Sequence, residues 1–315
     1  MRLDRPFLKL PVEFDSERLA AEVRALPKSA WTPHPTGFVG NEAVRLITPG
    51  GRETDDLHGE MAPTANLLAC PYVMEVMGAI GGVWGRSRFM GLGAGGEVPR
   101  HLDTHYYWRT HWRIHIPVIT NPKVKFTCGP ETVHMAEGEC WLFDSFRWHR
   151  VENGGDEQRV HLVLDTVGGA PLRQLIQLAR EDAPVRKMEP TGAIPSLAFE
   201  KMNSPKVMSP WELREHLRFL RDESLPHPAL DRVFGRLEAF AEDWAAAWAQ
   251  FGGDGSGFAS YLELLEGVKA DLGSAGGSEV LLNNRLPMYV ALDDIVFLNL
   301  LAEVGDAGAR ASQAA

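Results

Sequence analysis

The 315-residue chain has only three cysteines, Cys70, Cys128 and Cys140. An odd count at wide, irregular spacing argues against a disulfide framework or a zinc site and suits reduced, packed thiols. Lys and Arg never gather in runs and the net charge is −10, so a track for a nucleic-acid backbone is missing. No stretch reaches the roughly 18 apolar residues of a membrane span. The N-terminal MRLDRPFLKLPVEFDSERL also lacks the apolar core of a signal peptide. The expectation is a cytoplasmic protein that binds neither nucleic acid nor membrane. Internal repeats are absent. Gly91–Gly96 reads GLGAGG but has neither the following helix nor the spacing of a nucleotide loop.

What the chain has is a change of texture. Phe7–Val12 reads as a strand, Asp15–Leu26 as a helix capped by Asp15 or Ser16, and Ala43–Thr48 as a strand before Pro49-Gly50-Gly51. Cys70–Ile80 has helical spacing, with Val73, Met74, Met77 and Ile80 on one stripe. From Ser87 to Val167 short apolar or alternating runs follow one another: Arg88–Leu92, Trp112–Val118, Val124–Cys128, Thr132–Met135, Glu139–Phe143, Val151–Glu152 and Arg159–Thr166. That spacing argues for an antiparallel sandwich or barrel. Past Gly168-Gly169 the texture is helical. Ser209-Pro210-Trp211-Glu212 is a capping box, and helices are expected to about Glu223, over Ala229–Phe251, Phe258–Leu272 and Met288–Ala302. The expected division is a β-rich domain over 1–168, a helical domain over 169–302 and a frayed tail over 303–315, an α+β architecture.

Seven of the eleven histidines fall between residues 101 and 161. His101 and Asp103 sit two apart in an extended segment, so both can turn toward one ion, and His149 supplies a remote third ligand. Two imidazoles and a carboxylate leave the opposite positions of an Fe(II) ion open for oxygen and a chelating acid. Strand alternation puts Arg113, His115 and Pro117 on one face, opposite Trp112, Ile114, Ile116 and Val118. It likewise puts Arg159, His161, Val163 and Asp165 opposite Val160, Leu162 and Leu164. The polar faces must point into a barrel, where an unpaired charge is costly. Arg159 offers a planar fork for a carboxylate. His105, His111, His134 and His161 read as structural histidines. Asp103 has an alternative place in a loop, Arg113 a partner in Asp144 or Glu139, and Arg159 one in Asp165. Tyr106-Tyr107-Trp108 reads as a loop, either a substrate lid or hydrophobic cover of the barrel mouth. Leu237, Phe240, Trp244, Trp248 and Phe251 at helical spacing read as core.

The run HLD…RIHIPV…MAEGECWLFDSFRWHRVENGGDEQRVHLVLD resembles the aspartyl/asparaginyl β-hydroxylase family of Fe(II)/2-oxoglutarate dioxygenases, which includes bacterial free-proline cis-hydroxylases. The likeness covers Ser87–Asp165, more loosely back to residue 1. It implies a double-stranded β-helix (a jelly-roll, cupin-like core) with flanking helices, binding Fe(II) and 2-oxoglutarate and consuming O2 to hydroxylate an unactivated C–H bond. By motif, His101, Asp103 and His149 become the iron ligands and catalytic centre. Arg159 becomes the anchor of the distal 2-oxoglutarate carboxylate, with His115 and Arg113 as further co-substrate residues, Arg113 alternatively meeting a substrate carboxylate. The animal aspartyl hydroxylases lack a carboxylate ligand; Asp103 brings this chain nearer the bacterial amino-acid hydroxylases.

The expected substrate is an amino-acid side chain in a peptide or protein, or alternatively free L-proline or another free amino acid. Arg45, Arg88 and Arg113 are the residues to consider for a substrate carboxylate. Two other classes compete: a non-catalytic metal-binding barrel or sensor, and a zinc-dependent hydrolase or isomerase. An exposed helical face would support a homodimer.

Overall fold

The computed structural model describes residues 3–203 and 205–302. Eight strands make its centre: β1 (Val83–Leu92), β2 (Glu97–His101), β3 (Trp112–Ile119), β4 (Val124–Cys128), β5 (Glu131–Val133), β6 (Glu139–Phe143), β7 (His149–Asn153) and β8 (Arg159–Gly168). In the larger sheet they run β6-β3-β8-β1, and in the smaller β2-β7-β4-β5. All these pairs are antiparallel. The chain changes sheet at every step except the β4–β5 hairpin, which is the order of a jelly roll, a double-stranded β-helix. Phe7–Glu13 extends the larger sheet beside β6, and Asn41–Pro49 extends it beside β1.

Period-two alternation decides which residues enter the barrel. Ile114, Ile116 and Val118 of β3, Val160, Leu162 and Leu164 of β8, and Phe89 of β1 form the outer core. They pack with Leu19 and Val23 of helix Ser16–Ala25, Val73, Val76 and Met77 of helix Pro71–Ile80, and Leu172 and Ile176 of helix Ala170–Arg180. Asp15 starts the first of these helices by accepting from Arg18 N, and Pro71 opens the second at its first position. Met74, expected on the buried stripe, is only partly buried. Phe126, Cys128, Phe143 and Val151 form a second apolar cluster with Leu92 and Met135. All three thiols are free and buried, and burial pushes Cys70 and Cys128 up to about 12, so they pack as neutral hydrophobes.

The described residues divide into two compact units, one of 3–103 with 107–203 and the other of 104–106 with 205–302. The boundary expected at residue 168 therefore lies later: helix Ala170–Arg180 gives Leu172 and Ile176 to the outer core, and Met188 N bonds Glu13 O. In the second unit, Ser209 accepts from Glu212 N as the cap of helix Pro210–Glu223, and Leu237, Phe240 and Trp244 are buried in helix Leu230–Phe251. The helix expected over Met288–Ala302 is α-helical only over Met288–Leu292 and continues as a π-helical turn, Asp293–Phe297. Leu298 N reaches Asp293 O, while the Asn299 amide takes Asp294 O, a side chain competing with the helical ladder. The expected tail over 303–315 lies outside the described residues. No helix among them is long and apolar enough to cross a membrane.

Candidate metal centre

His101 ends β2 and His149 begins β7, directly opposite one another in the antiparallel register. Their ring centroids lie 4.1 Å apart. Asp103, two residues on, is held by its backbone N–H on Ser145 O, and His101 Nε2 is 3.9 Å from Asp103 Oδ1. One ligand atom from each of the three residues falls within 4.8 Å of the others. The sequence reading left His149 just before its strand, whereas it is the strand's first residue, so backbone pairing fixes its ring.

The donor set suits a metal. His101 Nδ1 sits 2.8 Å from Pro99 O, and His149 Nδ1 sits 2.9 Å from Arg147 O. Each ring must donate from Nδ1 to its carbonyl, which turns the Nε2 lone pair toward the centre. Burial lowers His149 to about 4, against the pull of Asp103, so it presents a neutral imidazole. Burial would raise Asp103, yet Arg113 and the two histidines hold it below its ordinary value as a carboxylate. Arg113 Nη1 donates to Asp103 Oδ2 at 2.9 Å and its Nε to Asp165 Oδ1 at 3.1 Å. Its guanidinium lies 3.7 Å from the centroid of Trp108. Arg113 was expected at the co-substrate. Two of its nitrogens hold Asp165 and Asp103 in place, while its Nη2 is buried with no hydrogen-bond partner among the described residues. Neither Asp144 nor Glu139 pairs with it, since Arg147 and Lys9 take those.

Arg159, at the start of β8, is 4% exposed. Among the described residues its Nε has no hydrogen-bond partner, and burial pulls its guanidinium far below its ordinary value with no carboxylate of theirs to oppose it. Asp165, its suggested partner, is taken by Arg113. A buried arginine with no counter-ion among the described residues fits an anion site. On the same inward face His115 Nδ1 and His161 Nδ1 are 3.4 Å apart. One ring must donate and the other accept, so one of the two Nε2 atoms is a donor, and both Nε2 atoms are buried without partners. Phe126 stacks on His115 at 5.5 Å, and Phe143 meets His149 at 5.0 Å, walling the space with apolar rings. These orphaned donors beside the triad fit a carboxylate-bearing chelate.

His161 was read as structural; the structure puts it in this pocket. The signal was available, because it follows Arg159 by two in one strand. His111 and His134 keep the structural reading: His111 Nε2 bonds Glu200, and His134 Nδ1 bonds Val124 O. Tyr106-Tyr107-Trp108 is not a loop but the start of the short helix Tyr106–Thr110. Tyr107 is fully buried and accepts from Arg86 N, which makes it core rather than lid.

Burial, then the Arg159 charge, keeps His115 and His161 well below 6.5. In the unfolded chain both titrate near that value and bind more protons below it. Stability of the metal-free protein is therefore full above it and falls as pH drops, by on the order of 1 kcal/mol per histidine per pH unit. Urea unfolding at about pH 7.5 and about pH 5.5 measures this; equal stabilities would mean the rings are solvated.

Residues 51–168 match the family model of aspartyl/asparaginyl β-hydroxylase. Among curated proteins none matches the sequence. Among solved structures, the chain is similar to an oxidoreductase of the 2OG-Fe(II) oxygenase family from Burkholderia pseudomallei, at 14% identity over 50% of this chain and 80% of that one, TM-score 0.39. It is also similar to a prolyl-4-hydroxylase from Pseudomonas putida, at 13% identity over 53% and 95%, TM-score 0.36. Both likenesses are distant, and the fold stands on its strand order. The triad and the inward arginine lie within residues 51–168, the segment that is similar to the aspartyl/asparaginyl β-hydroxylase family.

Proposed function

We propose that the protein hydroxylates an amino-acid side chain, free or within a peptide, using Fe(II), 2-oxoglutarate and O2. The enzyme is a 2-oxoglutarate-dependent dioxygenase. His101, Asp103 and His149 would hold Fe(II) on one face, and the bound metal supplies reduction of O2 coupled to conversion of 2-oxoglutarate to succinate and CO2. Arg113 holds Oδ2 of Asp103, which would leave Oδ1 for the ion. Arg159 receives the far carboxylate of 2-oxoglutarate, with the free Nε2 donor of the His115–His161 pair beside it. Phe126 and Phe143 keep water from these contacts, which strengthens them.

The observation that carries this reading is the juxtaposition of a His–Asp–His cluster with a buried arginine lacking a counter-ion, on the inside of one barrel. A scaffold without catalysis gains nothing from burying such a charge, and a zinc hydrolase has no use for a second anion anchor beside the metal. The test combines the full chain with Fe(II), 2-oxoglutarate, free amino acids including L-proline, and end-blocked peptides. Expected results are a visible metal-to-ligand band with Fe(II) and 2-oxoglutarate, succinate formation, and a gain of one oxygen in one class of substrate. A colourless complex that forms no succinate under any of these conditions overturns the reading.

A further inference from the structure

We infer that the helical unit positions the carboxylate ligand of the metal centre, through Thr104 and Tyr106, whose hydroxyls are held by Asp294 and Glu212. The inference rests on the metal centre of the proposed function and gives the helical unit a part in it.

Thr104–Tyr106 follows Asp103 directly in the chain. Yet these three residues belong to the compact unit that contains 205–302, while Asp103 before them and Tyr107 after them belong to the barrel unit. Two side-chain bonds fasten them there. Thr104 Oγ1 donates to Asp294 Oδ2 at 2.6 Å, and the Tyr106 hydroxyl donates to Glu212 Oε1 at 2.6 Å. Both are short hydroxyl-to-carboxylate bonds. The partners stand 190 and 106 residues away along the chain, so local folding cannot supply them.

Each acceptor is itself fixed. Asp294 lies in the π-helical turn Asp293–Phe297, whose Ile295, Val296 and Phe297 are buried. The turn gives the Asp294 backbone oxygen to the Asn299 amide, and such turns inside helices gather at functional sites. Glu212 is the third residue of helix Pro210–Glu223, where its backbone N–H donates to the Ser209 hydroxyl. A capping box would use its carboxylate for the Ser209 amide; here one oxygen serves Tyr106. One helical turn further, His216 meets the Tyr106 ring edge to face at 5.5 Å. Tyr106 is 6% exposed, so its hydroxyl needs the partner it has.

In the barrel unit, Asp103 N–H bonds Ser145 O and Arg113 Nη1 takes Asp103 Oδ2. Both contacts act at Asp103 itself. The peptide that follows it runs straight into Thr104, so the direction of the Asp103 carboxylate depends on where Asp294 holds that residue. Groups that orient a metal ligand typically change metal affinity 10- to 100-fold when they are lost, roughly the scale expected here. Thr104 and Tyr106 are therefore positioning residues: they act on the ion only through Asp103.

The test is anaerobic titration of the full chain with Fe(II), read by equilibrium dialysis, beside thermal melts of the metal-free protein. Thr104→Val is expected to weaken Fe(II) binding by ~10-fold, and Asp294→Ala to do the same. The double variant should be no weaker than either alone, because both remove one bond. Thr104→Ser and Asp294→Asn keep a donor and an acceptor, and should bind within about threefold of the unsubstituted protein. A pair that only stabilised the fold would lower the melting temperature and leave Fe(II) affinity as it is. Tyr106→Phe and Glu212→Gln form the second pair, used if an Asp294 variant does not fold. The inference is overturned if Thr104→Val and Tyr106→Phe bind Fe(II) as the unsubstituted protein does, or if the effects of Thr104→Val and Asp294→Ala simply add. Failure of the unsubstituted protein to bind Fe(II) overturns the metal centre, and the positioning role with it.

Discussion

Arg159→Met is expected to raise the thermal stability of the metal-free protein and, in the same variant, to weaken 2-oxoglutarate binding at least ~100-fold. The two effects have one cause. Arg159 is 4% exposed and lacks a carboxylate partner, so the folded state carries its desolvation uncompensated until the co-substrate arrives. Methionine has a similar reach and no charge; replacing buried charged groups with apolar ones of similar volume stabilises by about 1 to 4 kcal/mol. Loss of the fork removes the charge-assisted bonds to the distal carboxylate. Thermal melts of the metal-free protein and titration of the visible band with 2-oxoglutarate measure the two arms. A lower melting temperature would show that Arg159 has a structural partner and would remove the anion site from the mechanism.

The other large effect is expected at His149. His149→Ala leaves two ligands of three, and we expect Fe(II) to be lost on gel filtration and succinate formation to fall by roughly 10³-fold or more. The fold should survive, because His149 is a buried neutral ring whose Nδ1 serves only Arg147 O. Metal content by atomic absorption, with circular dichroism as the check on folding, decides it. Retention of stoichiometric Fe(II) would place the metal elsewhere.

These predictions show how far the sequence reaches. The cluster of His101, Asp103 and His149 was legible because HxD places two candidate ligands in one extended segment, and alternation makes the β3 and β8 faces inward. The same alternation contained His161, but a lone histidine on a strand is usually structural, and only the His115–His161 distance of 3.4 Å brings it to the pocket. Arg113 shows what alternation leaves out. Its inward direction was correct, but its partners Asp165 and Asp103 come from another strand and another loop, and sequence spacing does not report cross-strand pairs. The helix expected to Ala302 failed locally, where the Asn299 amide competes for a backbone oxygen.

By itself the sequence determined the β-rich body, the helical remainder, the ligand types and the kind of chemistry. Each follows from the side-chain period and donor identity, which are properties of neighbouring residues. Tertiary structure alone decided which charges are spent on one another and which are left over. That difference separates Arg45 and Arg113, paired with Asp55 and Asp165, from Arg86, Arg88 and Arg159, which among the described residues have no carboxylate in hydrogen-bond reach. The reason is physical: the energy of a buried charge depends on the groups within a few ångströms of it, and in a barrel those groups come from strands far apart in the chain.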